Sequence, residues 1–219
     1  MFATSFVLGY HGCDRRVGES ILRNDEHVAI SKNRYDWLGE GAYFWENSPE
    51  RAREWAEFLK KHPPQPSRRI AEPFVIGAIV ELGNYLDLTD ASSLQIVRAG
   101  YDEFRRANAL AGAKLPVNEP AHSDDIDLVK RHLDCAVVNF VHLLRGREHL
   151  EPFDTVRGVF TEGGELYPGA KIMAKTHVQV RPQSKEKHQR LFSAADLRCM
   201  NLGEAVRCEA VRPSGPYPD

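Results

Sequence analysis

Phe6, Val7, Leu8 and Tyr10 make residues 5–10 rich in β-formers, and the run stops at His11-Gly12, which predicts a first strand. Residues 17–23 fit a short amphipathic helix. Ala42-Tyr43-Phe44-Trp45 predicts a short aromatic strand, and Ser48-Pro49-Glu50 opens a helix after it. Ser suits the N-cap, Pro the first turn, and the carboxylate the positive helix start. That helix carries Ala52, Trp55, Ala56 and Leu59 on one face and ends before His62-Pro63-Pro64, inside a proline-rich exposed loop over 61–71.

Residues 74–82 are apolar enough for a buried strand, with a further extended piece at 84–88. Thr89-Asp90 caps a helix bearing Leu94, Val97, Tyr101 and Phe104 at helical spacing. A loop at 111–123 leads to a helix over 127–144 that buries Leu133, Val137, Phe140, Val141 and Leu144. Strands follow at 155–161 and 172–181. The pattern is α+β: a split set of short strands with a helical insert at about 89–150. The first 202 residues read as a single domain, and 203–219, rich in Pro and Gly, as a flexible C-terminal tail.

A chain of 219 residues suits one domain with a real core, and 42% apolar with 27% charged residues excludes disorder over most of its length. A net charge of -2 disfavours a globally basic nucleic-acid binder and leaves room for a local basic patch. Apolar runs are too short and too broken to span a bilayer, so no membrane partner is expected. Cys13, Cys135, Cys199 and Cys208 have irregular spacing with no C-x-x-C pair, so no metal site and no disulfide framework is expected, and a reducing cytoplasm is the default. Cys135 reads as a small buried hydrophobe. Neither G-x-G-x-x-G after a strand nor G-x-x-x-x-G-K-[ST] occurs, so neither common nucleotide phosphate loop is present.

The chemistry concentrates in the first quarter. His11-Gly12 ends a strand, and Gly39-Glu40-Gly41 precedes Tyr43. Glycines admit close approach of a ligand to backbone, His11 can bond a hydroxyl, the Gly12 N–H and C=O can meet an amide, and Tyr43 offers a flat ring. Such a set suits a planar heterocycle with a carboxamide, joined to a ribose.

His-Gly after a strand, then Gly-x-Gly-x-Tyr-Phe, then a helix carrying Ala52, resembles the ADP-ribosyltransferase fold, in the branch of diphtheria toxin and poly(ADP-ribose) polymerase. The specific match covers about residues 5–57, with a weaker match after residue 72. Residues 37–46 and 49–52, with Phe153-Asp154-Thr155-Val156-Arg157-Gly158-Val159-Phe160 and Lys175-Thr176-His177-Val178-Gln179-Val180, also resemble a family of uncharacterised bacterial proteins of about this length. The resemblance implies NAD as substrate, with no metal. His11 would bond the adenosine ribose, the Gly12 backbone the nicotinamide amide, and Tyr43 would stack on the nicotinamide ring. Ser48 or Trp55 would add a second wall. The implied enzyme moves ADP-ribose from NAD to a protein or nucleic-acid acceptor, a role that suits a bacterial toxin or phage-defence effector. The same resemblance admits an NAD glycohydrolase, or a catalytically silent module binding NAD, ADP-ribose or a partner protein. RNA 2′-phosphate transfer, which the fold also hosts, expects a basic substrate cleft that the near-neutral charge does not favour. Neither the acceptor nor the oligomeric state is legible.

The chain departs from that branch at the third catalytic position, where the branch places a Glu. Here Gln179 stands with His177 two residues before it, both on one strand face. Gln bonds a hydroxyl but carries no charge. Glu162 and Glu165 are the nearby carboxylates for a base or for acceptor recognition. His177 reads either as a satisfied sheet histidine or as part of the site. Trp37 and Trp45 read as packing aromatics. Arg157 reads either as a phosphate ligand or as an ion-pair partner of Asp154 or Asp134, and Glu50 to Glu54 as a solvated face. With NAD held in this way, the side chains of His11, Tyr43 and Gln179 converge on one cleft. Tyr43 on the opposite side of the sheet from His11 would end the NAD hypothesis.

Overall fold

The structure is a computed structural model and describes residues 5–63, 69–121, 127–183 and 189–193. Its elements run β1 (Phe6–Asp14), α1 (Arg15–Leu22), β2 (Phe44–Glu46), α2 (Pro49–Lys61), β3 (Pro73–Glu81), β4 (Tyr85–Asp87), α3 (Ala91–Leu110), α4 (His132–Arg147), β5 (Thr155–Phe160), β6 (His177–Pro182) and β7 (Gln189–Ser193). The strands form one mixed sheet in the order β4-β5-β6-β2-β1-β3-β7, with β4–β5 parallel. The α+β class holds, and the helical insert contains α3 and α4. The expected split of the strands is corrected: pairing is continuous, although its middle is narrow. Short β2 joins β1 through Gly9↔Glu46 and Tyr10↔Trp45, and joins β6 through Phe44↔Val180 and Trp45↔Gln179.

Side chains alternate between the two faces of a strand, so these registers sort the residues. One face carries His11, Phe44, Ile76, Ala78, Val80 and Val180, packed with Ile21 of α1 into one apolar cluster. The opposite face carries Tyr10, Trp45 and Val75 under α2, and Leu86 and Val156 under Val138 and Val141 of α4. On this second face α2 covers β1 and β3 while α4 covers β4 and β5. Strands β2 and β6 lie beneath the gap between the two helices.

Local chemistry explains the helix ends. Asp90 caps α3 by accepting from the Ser93 N–H. Asp14 caps α1 through Arg16 N and also accepts from Ala71 N and Glu72 N. Pro49 and Glu50 begin α2 and Lys60-Lys61 end it, in keeping with the helix dipole. Ser48 occupies the N-cap of α2 without a side-chain capping bond. Three expectations shift. Helix α4 starts at His132, and Leu133, Phe140 and Leu144 are part-buried, because α4 lies between the sheet and α3, where Phe140 meets Phe104. Strand β6 starts at His177, because 162–175 fold back on themselves through Leu166 N–Ile172 O, Ala174 N–Gly164 O and Lys175 N–Glu162 O. Strand β7 was not expected. The tail at 203–219, Cys199 and Cys208 lie outside the described residues. No described helix is long and apolar enough to cross a membrane.

Candidate functional site

Strand β6 sets His177 and Gln179 side by side on the face beneath the gap between α2 and α4. Both are more than nine-tenths buried. Gln179 Oε1 accepts from Trp37 Nε1 at 2.6 Å. The Trp37 ring lies over Gly158, the strand partner of Gln179, where any Cβ would meet it at 2.6 Å. His177 Nδ1 lies 2.7 Å from the Lys175 carbonyl, to which it must donate. In the neutral ring this leaves the acceptor lone pair on Nε2. Burial lowers the His177 pKa, and the Arg51 guanidinium adds to this against the Lys175 bond.

Around this pair stand Trp45, Phe160 and, further out, Trp55. The His177 ring centroid lies 5.6 Å from Phe160 and 6.3 Å from Trp45, and Trp45 lies 6.1 Å from Trp55. Arg131, just before α4, sits over Phe160 at 5.0 Å, and Arg51 of α2 ion-pairs with Glu162 and Glu54. Four buried polar atoms in this neighbourhood have no hydrogen-bond partner: Trp45 Nε1, His177 Nε2, Arg51 Nε and Arg131 Nε. Buried polar groups are otherwise almost always bonded, since leaving one bare costs about 1–3 kcal/mol. Three donors and one acceptor are thus left bare among the rings of Trp45, Phe160 and Trp55.

The first-quarter motifs are placed differently from expectation. Tyr43 packs with Leu38, Val156 and Val141 under α4, and its hydroxyl accepts from Leu38 N at 2.9 Å and donates to Gly39 O at 2.8 Å. Burial, with Asp36 nearby, raises its pKa. His11 lies on the other face against Phe44, and its Nδ1 meets the Tyr43 carbonyl at 2.8 Å. Burial lowers the His11 pKa against that bond. The side chains of His11, Tyr43 and Gln179 therefore do not converge, and by the criterion set above the NAD site read from the first-quarter motifs fails. The glycines of Gly-x-Gly also have a structural task. Gly39 takes φ +85, and a Cβ on Gly41 would strike the Arg181 side chain at 2.1 Å. Arg181 is wholly buried, bonded to Leu38 O and to His142 Nε2, with its pKa lowered by burial to about 10.

Chain comparison with family models, curated proteins and solved structures finds no match.

Gly12 sits where the β1–β2 ladder ends. Asn47 N donates to Leu8 O, so the alternation of strand bonds turns the N–H and C=O of Tyr10 and Gly12 toward β2. The β1–β2 ladder ends at Tyr10↔Trp45, and the Tyr43 carbonyl, next in register, is bonded by the His11 ring. The Gly12 backbone thus faces a vacated strand edge. Its α-carbon lies directly under α2, where a Cβ would stand 2.0 Å from the Ala52 carbonyl oxygen.

Of the residues singled out from sequence, His177, Gln179, Trp55 and Glu162 gather around the gap. Ser48 begins the helix that walls it. Glu165 does not join them: it is exposed and accepts from Gly169 N within its own turn. Arg157 pairs with Glu46 and Asp87 on the other face rather than with Asp154 or Asp134. Cys135 is buried as expected, with its thiol pushed up to about 11 by burial. Sequence reasoning missed Trp45, Arg51, Arg131 and Phe160 as site residues. The aromatic pair Phe44-Trp45 on a strand held a signal, since one of the two must face away from the apolar cluster. Among the described residues no group of three or more His, Cys, Asp or Glu is placed to hold a metal.

Proposed function

We propose that the gap between α2 and α4 binds NAD and that the protein transfers ADP-ribose from it to a macromolecular acceptor. The observation that carries this is the set of four buried, unpartnered polar atoms around aromatic walls. Arg51 and Arg131 suit the diphosphate, Trp45 and Trp55 suit a flat base, and Trp45 Nε1, His177 Nε2 and the Gly12 edge suit an amide or ribose hydroxyl. The resemblance to ADP-ribosyltransferases raised this ligand, although His11 and Tyr43 do not take the roles it implied. In the reaction the C1′–N bond to nicotinamide breaks, its electron pair leaves with nicotinamide, and the acceptor nucleophile bonds to C1′ and loses its proton. The cationic ribose between these events calls for a negative group. Glu162 is the carboxylate beside His177, and phosphates drawing Arg51 away would free it. The Gln179 amide orients a hydroxyl and supplies no charge.

A second reading is a silent NAD- or ADP-ribose-binding module, favoured by the neutral Gln179 already bonded to Trp37. Labelled NAD, purified protein and cell extract separate the two. Nicotinamide release with label on a macromolecule supports transfer, and release without label transfer supports hydrolysis by water. Binding with no release leaves the module. No calorimetric binding of NAD or ADP-ribose overturns both.

A further inference from the structure

Helix α2 has two exposed flanks, one on each side of the stripe that buries Ala52 and Ala56. On the flank away from the cleft an open groove of about 510 Å³ is lined by Arg53, Glu57, Lys60, Lys61, Arg69 and Pro73. It presents four cations against one carboxylate. None of the four takes part in an ion pair among the described residues, whereas Arg15, Arg51, Arg131 and Arg157 are all paired. On the other flank Trp55, Phe58 and His62 form an exposed ladder. Trp55 and Phe58 stack at 5.6 Å with planes 18° apart, and Phe58 and His62 follow at 4.6 Å. Trp55 and Phe58 are 43% and 48% exposed, large apolar surfaces to leave in water unless something covers them.

We propose that α2 is a docking surface for single-stranded nucleic acid, with phosphates in the groove of Arg53, Lys60, Lys61 and Arg69 and bases on the Phe58 and His62 end of the ladder. Unpaired cations on one flank and stacked aromatic rings on the other supply the combination that holds single strands, the strand crossing the helix with charge tracking its backbone and the rings taking any base. A bilayer is a poorer fit, because the cations line a concavity on the flank opposite the exposed rings and one flat surface does not meet both. An acidic peptide would use the cations and leave the ladder bare. The site stands whether or not the cleft binds NAD. Trp55 shares the ladder and the cleft wall, so a docked strand lies beside the cleft.

Fluorescence anisotropy with labelled single-stranded DNA and RNA of about 12 nucleotides tests the proposal. Binding is expected at about 50 mM salt, weakening steeply toward 200 mM. Lys60→Glu with Lys61→Glu should weaken it at least tenfold and lower the salt slope by about two. Phe58→Ala should weaken it about tenfold with the salt slope unchanged. All three positions are exposed, so the folded state is kept, and a matching thermal melt checks this. NAD affinity should not change in either variant, so failure here and failure of the NAD reading give different results. Absence of oligonucleotide binding at low salt overturns the proposal. So does equal binding by the charge-reversed variant, or equal affinity for polyglutamate or for anionic lipid vesicles.

Discussion

The Tyr43 phenol uses both of its hydrogen-bonding capacities inside its own turn, accepting from Leu38 N and donating to Gly39 O. That local closure, together with apolar neighbours under α4, decides where the ring lies, and nothing in the spacing Gly-x-Gly-x-Tyr distinguishes it from a ring offered to a ligand. Tyr43→Phe removes two buried bonds and strands a backbone donor and acceptor. It should cost about 1–3 kcal/mol in urea unfolding and leave NAD affinity unchanged. Lost affinity with full stability would return the ring to the binding site. His177 and Gln179 were legible because a strand repeats every two residues, so their shared face follows from sequence alone. Trp45, Arg51 and Arg131 were not. Their neighbourhood depends on the register Trp45↔Gln179 between β2 and β6 and on the approach of α2 and α4, both set by contacts remote in sequence.

At the level of elements, start and stop chemistry was the readable part. Asp90 and Pro49 mark real boundaries, whereas β1 runs past His11-Gly12 to Asp14 and the onset of β6 follows from hydrogen bonds across a turn that carries no pattern. Strand β7 was missed because its place on the edge of β3 is a pairing, not a run of apolar residues. Packing between elements gives two glycines opposite expectations. At Gly12 a Cβ meets helix backbone, which no side-chain rotation relieves, so Gly12→Ala should push α2 off β1 and cost about 2 kcal/mol or more. At Gly146, inside α4, a Cβ meets nothing within 4 Å, so Gly146→Ala should stabilise by about 0.5–1 kcal/mol through helix propensity. Unfolding midpoints of the two variants should move in opposite directions. Movement of both the same way would contradict the packing of α2 on β1.

Across the whole molecule, burial holds three histidines neutral at separate joints. His11 closes the β1–β2 edge, His177 lines the gap between helices, and His142 of α4 accepts from Arg181 of the sheet. Burial is the largest cause of each lowered pKa, and for His142 the Arg181 and Arg145 charges carry the value down to about 4. Between pH 6.5 and about 4 the unfolded chain therefore binds protons that the folded chain refuses. Stability rises with pH across that window and is lost on acidification. It is complete above the ordinary histidine value and, for His142, gone below about 4. Asp14 and Asp90, lowered mainly through hydrogen bonds from the backbone and from a serine hydroxyl, act in the same direction only below the ordinary carboxylate value. The His142 share is of the order of 3 kcal/mol. The urea midpoint should fall as pH drops from 7 to 5. His142→Gln, which keeps an acceptor for Arg181 and cannot take a proton, should flatten that fall. The variant keeping the full slope would place the acid sensitivity elsewhere than the joint between α4 and the sheet. Because that joint also sets one wall of the gap above His177 and Gln179, ligand affinity should decline over the same pH range in the native chain and hold further down in the variant.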